Sequence, residues 1–287
     1  ISPSSAQTLK KGPLAVKGKI AVTTEDLRTF STVKLDGEWE FYWNQLLNPA
    51  DFSAKKVPEL SAYPNVPGCW DSKSPGVPSF PAKGAATYRL KVHIEDPDIL
   101  YGFIVPETLT SYKLWINGKV AASAGKVSLD PEEMQPQTVK RIVYIRPDST
   151  EIEIIWQVAD SSYRKSGIWL SMEMGLSRSV AAVHDWNIGV EIFLAGCLLI
   201  MALYHIGLFI YRRHDRTPLY FGLFCLVIVL RILTTGELLL ETIFPNFSWE
   251  IARKMEFSPF YIGGTFFMLF LYSVFPKDIS RKIVITL

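Results

Sequence analysis

Apolar and polar residues follow two different periods along the chain, and the change occurs near His184. Before His184, apolar side chains recur at every second position, which is the period of β-strands with one buried face. After it, long apolar runs are separated by short basic loops, a pattern typical of membrane-spanning helices. The pattern therefore predicts a folded β domain outside a membrane, followed by a helical membrane region.

The two-residue period is clearest in several segments of the first part. The side chains that it places on inward faces are Trp39, Phe41 and Trp43; Tyr88, Leu90, Val92 and Ile94; Tyr112, Leu114 and Ile116; Ile152, Ile154, Trp156 and Val158; and Leu170, Met172 and Met174. Tyr42 is predicted to face outward. Asn117-Gly118 is the favoured pair for a two-residue hairpin turn. Closely spaced strands with no helical segments between them predict an all-β antiparallel sandwich of roughly 140 residues.

The boundaries of the parts follow from where each period begins and ends. Residues 1–30 show no sustained period and are predicted to be an N-terminal arm or an added edge strand. The sandwich is predicted over 31–178, with a short linker at 179–187 before a membrane region at 188–287. The predicted spans, each longer than the ~20 residues that cross a bilayer, lie at about 188–211, 218–240 and 251–275. A fourth span is predicted to start at 283, so we expect a truncated α-helical bundle.

Basic residues are distributed unevenly over the loops. They follow the first span at Arg212, Arg213 and Arg216 and the third span at Lys277, Arg281 and Lys282. Residues 241–250, between the second and third spans, include no Lys or Arg. Because loops rich in Lys and Arg stay in the cytoplasm, the β domain is predicted to lie outside it.

Composition narrows the class of protein. A mean hydropathy of +0.17 with 20% charged residues is too apolar for a soluble chain of 287 residues. A net charge of +2 without a long basic run argues against nucleic acid as a partner. Cys69 is the one cysteine of the β-rich part, so no disulfide is expected there. The first residue is Ile1 rather than Met, so we expect that a signal peptide was removed or the chain was trimmed.

Short motifs of the first part occur in a recognisable order. They are LDGEWEF (35–41), VPGCW (66–70), YRLKV (88–92), LWINGK (114–119) and RKSGIWLSMEMG (164–175). In this order they resemble the galactose-binding-like jelly-roll sugar-binding domain of β-galactosidase-type glycoside hydrolases. Joined to spans that begin GVEIFLAGCLLIMALYHIGLFIYRR (189–213), the whole chain resembles the bacterial seven-transmembrane receptors with diverse intracellular signalling modules.

The resemblance implies a membrane sensory receptor fragment. The jelly-roll sandwich would sense a small-molecule or glycan ligand outside the cytoplasm, and a seven-helix bundle in the bacterial inner membrane would pass the signal on. A cytoplasmic kinase, nucleotide cyclase or phosphatase of the same full-length chain would give the output. Membrane lipid is a further expected partner, and a homodimer is allowed. The alternatives are a membrane-anchored carbohydrate-binding module without signalling, or an accessory domain of a transporter or membrane enzyme.

No catalytic activity is predicted for this portion of the chain. Glycosidases need two carboxylates at a set separation, and in the hydrolases named above these lie in a separate barrel of roughly 250 residues. None of the four histidines has the spacing of a metal site, and no phosphate-binding glycine loop is present. Neither a metal nor a cofactor is therefore expected.

Loop aromatics are the candidate ligand-binding residues of the β domain. Aromatic rings stack on the apolar faces of sugars, and neighbouring polar groups fix the orientation of the ligand. The candidates are Tyr63, Trp70, Tyr163, Arg164 and Trp169. The alternative for Trp70 and Trp169 is packing inside the sandwich, and for the other three it is an exposed loop or contact with the bundle.

Four ionisable residues lie within or at the edge of the predicted spans: Glu191, Arg231, Glu237 and Glu256. An ionised side chain there costs a few kcal/mol unless it is paired or hydrated. At ~1.5 Å per residue they lie roughly 7–15 Å below the outer ends of the spans, where Arg231 could reach Glu256 or Glu191. One interpretation is a salt bridge that only fixes helix packing. The other is a contact with two states that ligand binding shifts.

Overall fold

The computed structural model describes residues 12–54, 58–72, 76–108, 110–161, 166–244 and 249–278. It consists of two compact units, 1–182 and 183–287. The strands of the first unit, here called the β domain, are β1 (Lys19–Val22), β2 (Val33–Lys34), β3 (Gly37–Glu38), β4 (Glu40–Trp43), β5 (Asn65–Val66), β6 (Gly68–Cys69), β7 (Gly84–Ile94), β8 (Tyr101–Val105), β9 (Ser111–Ile116), β10 (Lys119–Ala124), β11 (Arg141–Ile145), β12 (Glu151–Asp160), β13 (Gly167–Ile168) and β14 (Glu173–Leu176). The helices of the chain are α1 (Thr24–Thr29), α2 (Pro49–Phe52), α3 (Ser177–Tyr211), α4 (Thr217–Thr234), α5 (Leu239–Ile243) and α6 (Trp249–Val274).

The larger sheet has the strand order β1-β7-β12-β9-β10, and β4 pairs with the same edge of β7 as β1 does. Strands β7 and β12 pair antiparallel from Gly84 opposite Asp160 to His93 opposite Glu151. Strand β1 pairs with β7 in parallel, which corrects the expectation of a purely antiparallel sheet. Parallel pairing requires a long connection, and the chain between Val22 and Gly84 provides it. Residues 1–30 were predicted to be either an N-terminal arm or an added edge strand, and Lys19–Val22 forms such a strand.

The second sheet has the order β11-β8-β14-β2, and two small sheets pair β13 with β6 and β3 with β5. Buried side chains of both main sheets belong to one hydrophobic cluster. In the β9–β10 hairpin, Asn117 and Gly118 have φ values of 49° and 75°, as a type I′ turn requires. The structure therefore confirms the predicted turn.

The inward faces predicted from the two-residue period are buried in the structure, with a few exceptions. Trp43 is only half-buried, and Leu170 is 48% exposed because it lies between β13 and β14 rather than within a strand. Tyr42, predicted to face outward, is buried because α2 covers that face of the sheet. Its ring lies 5.3 Å from the ring of Phe52, and its hydroxyl donates to Glu40 Oε2 at 2.9 Å.

Within the described residues, α3, α4 and α6 are long and apolar enough to cross a membrane. Residues 179–187, predicted to be a linker, are helical, because α3 begins at Ser177 and has no proline to interrupt it. The second span ends earlier than predicted, at Thr234, where the chain turns through Gly236 with φ +71°. The predicted start of a fourth span at 283 lies outside the described residues.

The three long helices pack through small and aromatic residues. A Cβ added at Gly222 of α4 would lie 2.9 Å from Ile206 Cγ1 of α3, so these helices approach closely. Between α4 and α6, the ring centroids of Phe224 and Phe267 are 5.3 Å apart. Small residues that permit close approach are typical of membrane helix packing.

Candidate functional site

Trp70 is part of the core of the β domain. It is 4% exposed, its Nε1 donates to the Tyr88 hydroxyl at 2.7 Å, and its ring lies edge-on to Trp43 at 5.1 Å. Its backbone N–H donates to the Ser166 carbonyl at 2.8 Å, which fixes the segment before β13 beside β6. Of the two alternatives for Trp70, these contacts favour packing.

The cavity beside Trp70 is too small for a sugar. It measures about 20 Å³, and its lining includes Phe41, Phe80 and Tyr88. This volume holds about one water molecule. A ligand cannot reach the indole of Trp70 through this cavity unless the surrounding side chains move.

Trp169 lies on the surface. It is 44% exposed and follows β13 directly, and β13 pairs with β6 next to Trp70. Tyr63 is half-buried, whereas Tyr163 and Arg164 lie outside the described residues. Of the predicted aromatic residues that the structure describes, Trp169 is therefore the most exposed to a ligand.

Asp160 and Ser166 form a buried polar pair that the sequence analysis did not identify. Asp160 is the last residue of β12, and the Ser166 hydroxyl donates to its carboxylate. Both residues are almost fully buried. Asp160 continues the inward series of β12 two residues after Val158, and this alternation could have revealed it. The pair joins the last residue of β12 to the residue before β13.

The buried side-chain atoms that have no hydrogen-bond partner among the described residues include Thr110 Oγ1, Tyr112 Oη and Trp156 Nε1. The rings of Tyr112 and Trp156 lie 6.0 Å apart in an edge-on arrangement. Burial raises the pKa of Tyr112 to about 12, against a smaller opposing effect of Arg141. This part of the core therefore stores unfavourable free energy in unmade hydrogen bonds.

The charged side chains on the β4, β7 and β12 strands pair with one another. Arg89 donates through Nε to Glu153 at 2.8 Å and contacts Glu40 at 3.3 Å, and its guanidinium lies 4.4 Å from the Phe52 ring centroid. Burial lowers the pKa of Arg89, but the hydrogen bond and charge of Glu153, together with Glu40, outweigh burial and raise it. Because each charge here has a partner, this face supports the sheet rather than offering a free charge to a ligand.

The four predicted intramembrane residues separate into two groups in the structure. In the first group, the Glu237 backbone N–H donates to the Glu191 carboxylate at 3.0 Å, and Asn187 Nδ2 donates to Glu237 Oε1 at 3.0 Å. His184 Nδ1 lies 2.9 Å from Glu237 Oε2. His184 and Asn187 were not predicted, although their spacing to Glu191 (i, i+3, i+7) places all three on one helix face.

The second group lies between α4 and α6. Arg231 donates to the backbone carbonyl of Glu256 at 3.4 Å, and its guanidinium lies 4.1 Å from the Phe260 ring centroid. The Glu256 carboxylate instead accepts from Arg253. The predicted ion pair of Arg231 with Glu256 or Glu191 is therefore not formed. Arg253, one helical turn before Glu256, takes the Glu256 carboxylate, and the Glu237 backbone N–H takes the Glu191 carboxylate.

Metal binding has no support in the part of the chain that the structure describes. Within those residues, no group of three or more His, Cys, Asp or Glu side chains could hold a metal ion. The β domain can offer a ligand the exposed indole of Trp169 and loops that form hydrogen bonds. The helical part contributes buried contacts between its helices.

A β domain followed by three long apolar helices defines a membrane protein with a substantial folded domain at one end. The helical part, residues 188–287, matches the model of a family described as 7TM diverse intracellular signalling. This match confirms the predicted resemblance and supports the coarser functional prediction of a membrane sensory receptor. No curated protein matches the chain.

The similar solved structures include several glycoside hydrolases. A β-galacturonidase of Eisenbergiella tayi has 16% identity and a TM-score of 0.34, covering 50% of this chain and 24% of its own. A β-glucuronidase of Faecalibacterium prausnitzii has 12% identity and a TM-score of 0.37, with 50% and 31% covered. A β-galactosidase-like protein of Bacteroides fragilis has 13% identity and a TM-score of 0.35, with 50% and 22% covered. The chain thus spans less than a third of these enzymes, and no activity is transferred from them.

Proposed function

We propose that this chain is the sensing and membrane part of a bacterial signalling receptor. The observation that carries the proposal is the family match over 188–287 behind a separately folded β domain. A kinase, nucleotide cyclase or phosphatase in the cytoplasm, on the same full-length protein, would deliver the output. Three apolar helices exceed what a simple anchored binding module needs, since one helix suffices for an anchor.

The proposed orientation places the β domain outside the cytoplasm, with the protein in the inner membrane. Its support is the loop between α3 and α4, where Arg212, Arg213 and Arg216 lie within five residues of one another. Positive charge of this density close to a span favours retention in the cytoplasm. The start of α3 then lies on the outer side, next to the β domain in sequence.

In the proposed β domain, a jelly-roll sandwich, the ligand stacks on Trp169. The indole is exposed, and stacking on an exposed aromatic face is a common way to hold a sugar or another flat apolar surface. Tyr63, Tyr163 and Arg164 remain proposed contacts. Trp70 is assigned a supporting role in the core, because its indole is buried and already bonded to Tyr88. A glycan or another small polar molecule is the proposed ligand class.

The test is titration of the full chain in nanodiscs with a panel of neutral monosaccharides, uronic acids and oligosaccharides. The expected result is saturable binding that Trp169→Ala weakens at least tenfold and Trp169→Phe largely retains, because Phe keeps a stacking surface. Tyr144→Ala is the matched control, since Tyr144 is another exposed aromatic residue of the β domain, on β11. Equal loss in both alanine variants would remove Trp169 from the site, and no response to any panel member would remove sugar sensing.

A further inference from the structure

The turn between α4 and α5 has an unusual backbone. Gly236 has φ +71° and Leu238 has φ +53°, so two residues of this short turn lie in the left-handed region. Such a conformation is unfavourable for leucine unless its surroundings hold it in place. The hydroxyls of Thr234 and Thr235 both bond back to the Arg231 carbonyl, which closes the last turn of α4.

Side chains of α3 hold this turn through Glu237. The Glu191 carboxylate accepts from the Glu237 backbone N–H through both oxygens, at 3.0 and 3.3 Å. The Glu237 carboxylate in turn contacts Asn187 at 3.0 Å and His184 at 2.9 Å. The Glu237 side chain is only 3% exposed, so a buried carboxylate depends on these contacts. A Cβ added at Gly236 would lie 2.1 Å from Glu191 Oε1, so a larger residue there would have to displace the Glu191 carboxylate.

The first residues of helix α3 pack within the β domain. Val180 is fully buried, and a Cβ added at Gly102 of β8 would lie 2.9 Å from Val180 Cβ. The Ser177 N–H donates to the Leu100 carbonyl at 3.0 Å. Helix α3 continues without interruption from Ser177 and Val180 to His184, Asn187 and Glu191.

We propose that His184, Asn187, Glu191 and Glu237 form a latch that fixes the α4–α5 turn to α3, so that a displacement of α3 carries the start of α5 with it. The proposal rests on the proposed receptor function for its purpose, but the latch itself can be tested without any ligand. The four side chains are positioning residues, since they act on the backbone of the turn. In signalling, α3 would connect the β domain, to which its first residues belong, with the α4–α5 turn that the latch holds.

The experiment is hydrogen–deuterium exchange of the full chain in nanodiscs, measured on peptides that cover 234–240. Glu191→Ala removes the acceptor of the Glu237 N–H, so the expected result is an increase of at least tenfold in exchange there. Asp185→Ala is the matched control on the same helix, because Asp185 is exposed and has no hydrogen bond among the described residues. We expect exchange in this control to stay within about twofold of the parent. Thermal unfolding of the β domain, recorded alongside, is expected to be unchanged in both variants.

Gly236→Ala tests the same contact from the opposite side. It is expected to increase exchange at 234–240 at least as much as Glu191→Ala does, because the added Cβ displaces the Glu191 carboxylate and an alanine at φ +71° strains the turn as well. Unchanged exchange in Glu191→Ala and in His184→Leu/Asn187→Leu would overturn the latch. If the latch is present but no panel sugar alters exchange at 234–240, sugar sensing fails while the latch stands.

Discussion

Trp70→Ala is expected to destabilise the β domain by about 3–5 kcal/mol, whereas Trp169→Ala is expected to cost only about 1 kcal/mol. Trp70 fills a site between Trp43 and Tyr88, and its removal leaves a cavity beside a void of about 20 Å³. It also leaves the Tyr88 hydroxyl without the Trp70 indole N–H. Trp169 is 44% exposed, so its truncation removes less packed volume and opens onto solvent.

The measurement is calorimetric unfolding of the two variants and the parent in the same detergent. Trp70→Phe is the intermediate variant, which keeps much of the packed volume but not the hydrogen bond, and it is expected to lie between the parent and Trp70→Ala. Equal destabilisation by Trp70→Ala and Trp169→Ala would contradict the assignment of Trp70 to the core and Trp169 to the surface.

Alkaline pH is expected to weaken the β domain through its buried tyrosines. Burial raises the pKa of Tyr88 and Tyr42, and that of Tyr112 to about 12, from an ordinary value near 10. The unfolded chain loses these protons first, so the stability is fully present below pH 10 and is lost as the pH rises toward the folded-state pKa. For Tyr112 alone, a rise of the pKa from about 10 to about 12 corresponds to roughly 3 kcal/mol.

Tyr112→Phe and Tyr88→Phe separate this effect from hydrogen bonding. The Tyr112 hydroxyl has no partner among the described residues, so its removal is expected to leave stability at pH 7 unchanged or slightly higher and to reduce the loss between pH 10 and 12. The Tyr88 hydroxyl accepts from Trp70, so Tyr88→Phe is expected to lower stability at pH 7 by about 1–3 kcal/mol. Urea unfolding of both variants at pH 7 and 11.5 measures this, and a pH-independent Tyr112→Phe effect would contradict it.

The strands were predictable because one face of each is buried, and burial imposes the two-residue period. That reasoning succeeded for β7, β9 and β12, and it failed at Tyr42 and Leu170, where a covering helix and a gap between strands change exposure. Parallel pairing of β1 was not predictable, since a short segment carries no information about which distant edge it joins. The family resemblance was predictable from the motifs of the β domain joined to the first span (189–213), whereas long apolar segments alone indicate only membrane spans.

The sequence predicted which residues of the spans need a polar partner, but not which partner each of them has. An ionisable residue in an apolar run indicates that a partner is needed, and this identified Glu191, Arg231, Glu237 and Glu256. The choice of partner depends on helix rotation and on the turn after Thr234. Arg253 therefore takes the Glu256 carboxylate, and a backbone N–H takes that of Glu191.

The side of the membrane on which the β domain lies tests the central proposal most directly, because a receptor of this kind must present that domain outside the cytoplasm. In a chain with Cys69, Cys197 and Cys225 replaced, single cysteines at Tyr144 and His214 report the two sides. With a membrane-impermeant maleimide on intact spheroplasts, we expect Tyr144→Cys to be labelled and His214→Cys to be labelled only after the membrane is opened. Labelling of His214→Cys but not Tyr144→Cys in intact spheroplasts would contradict the account.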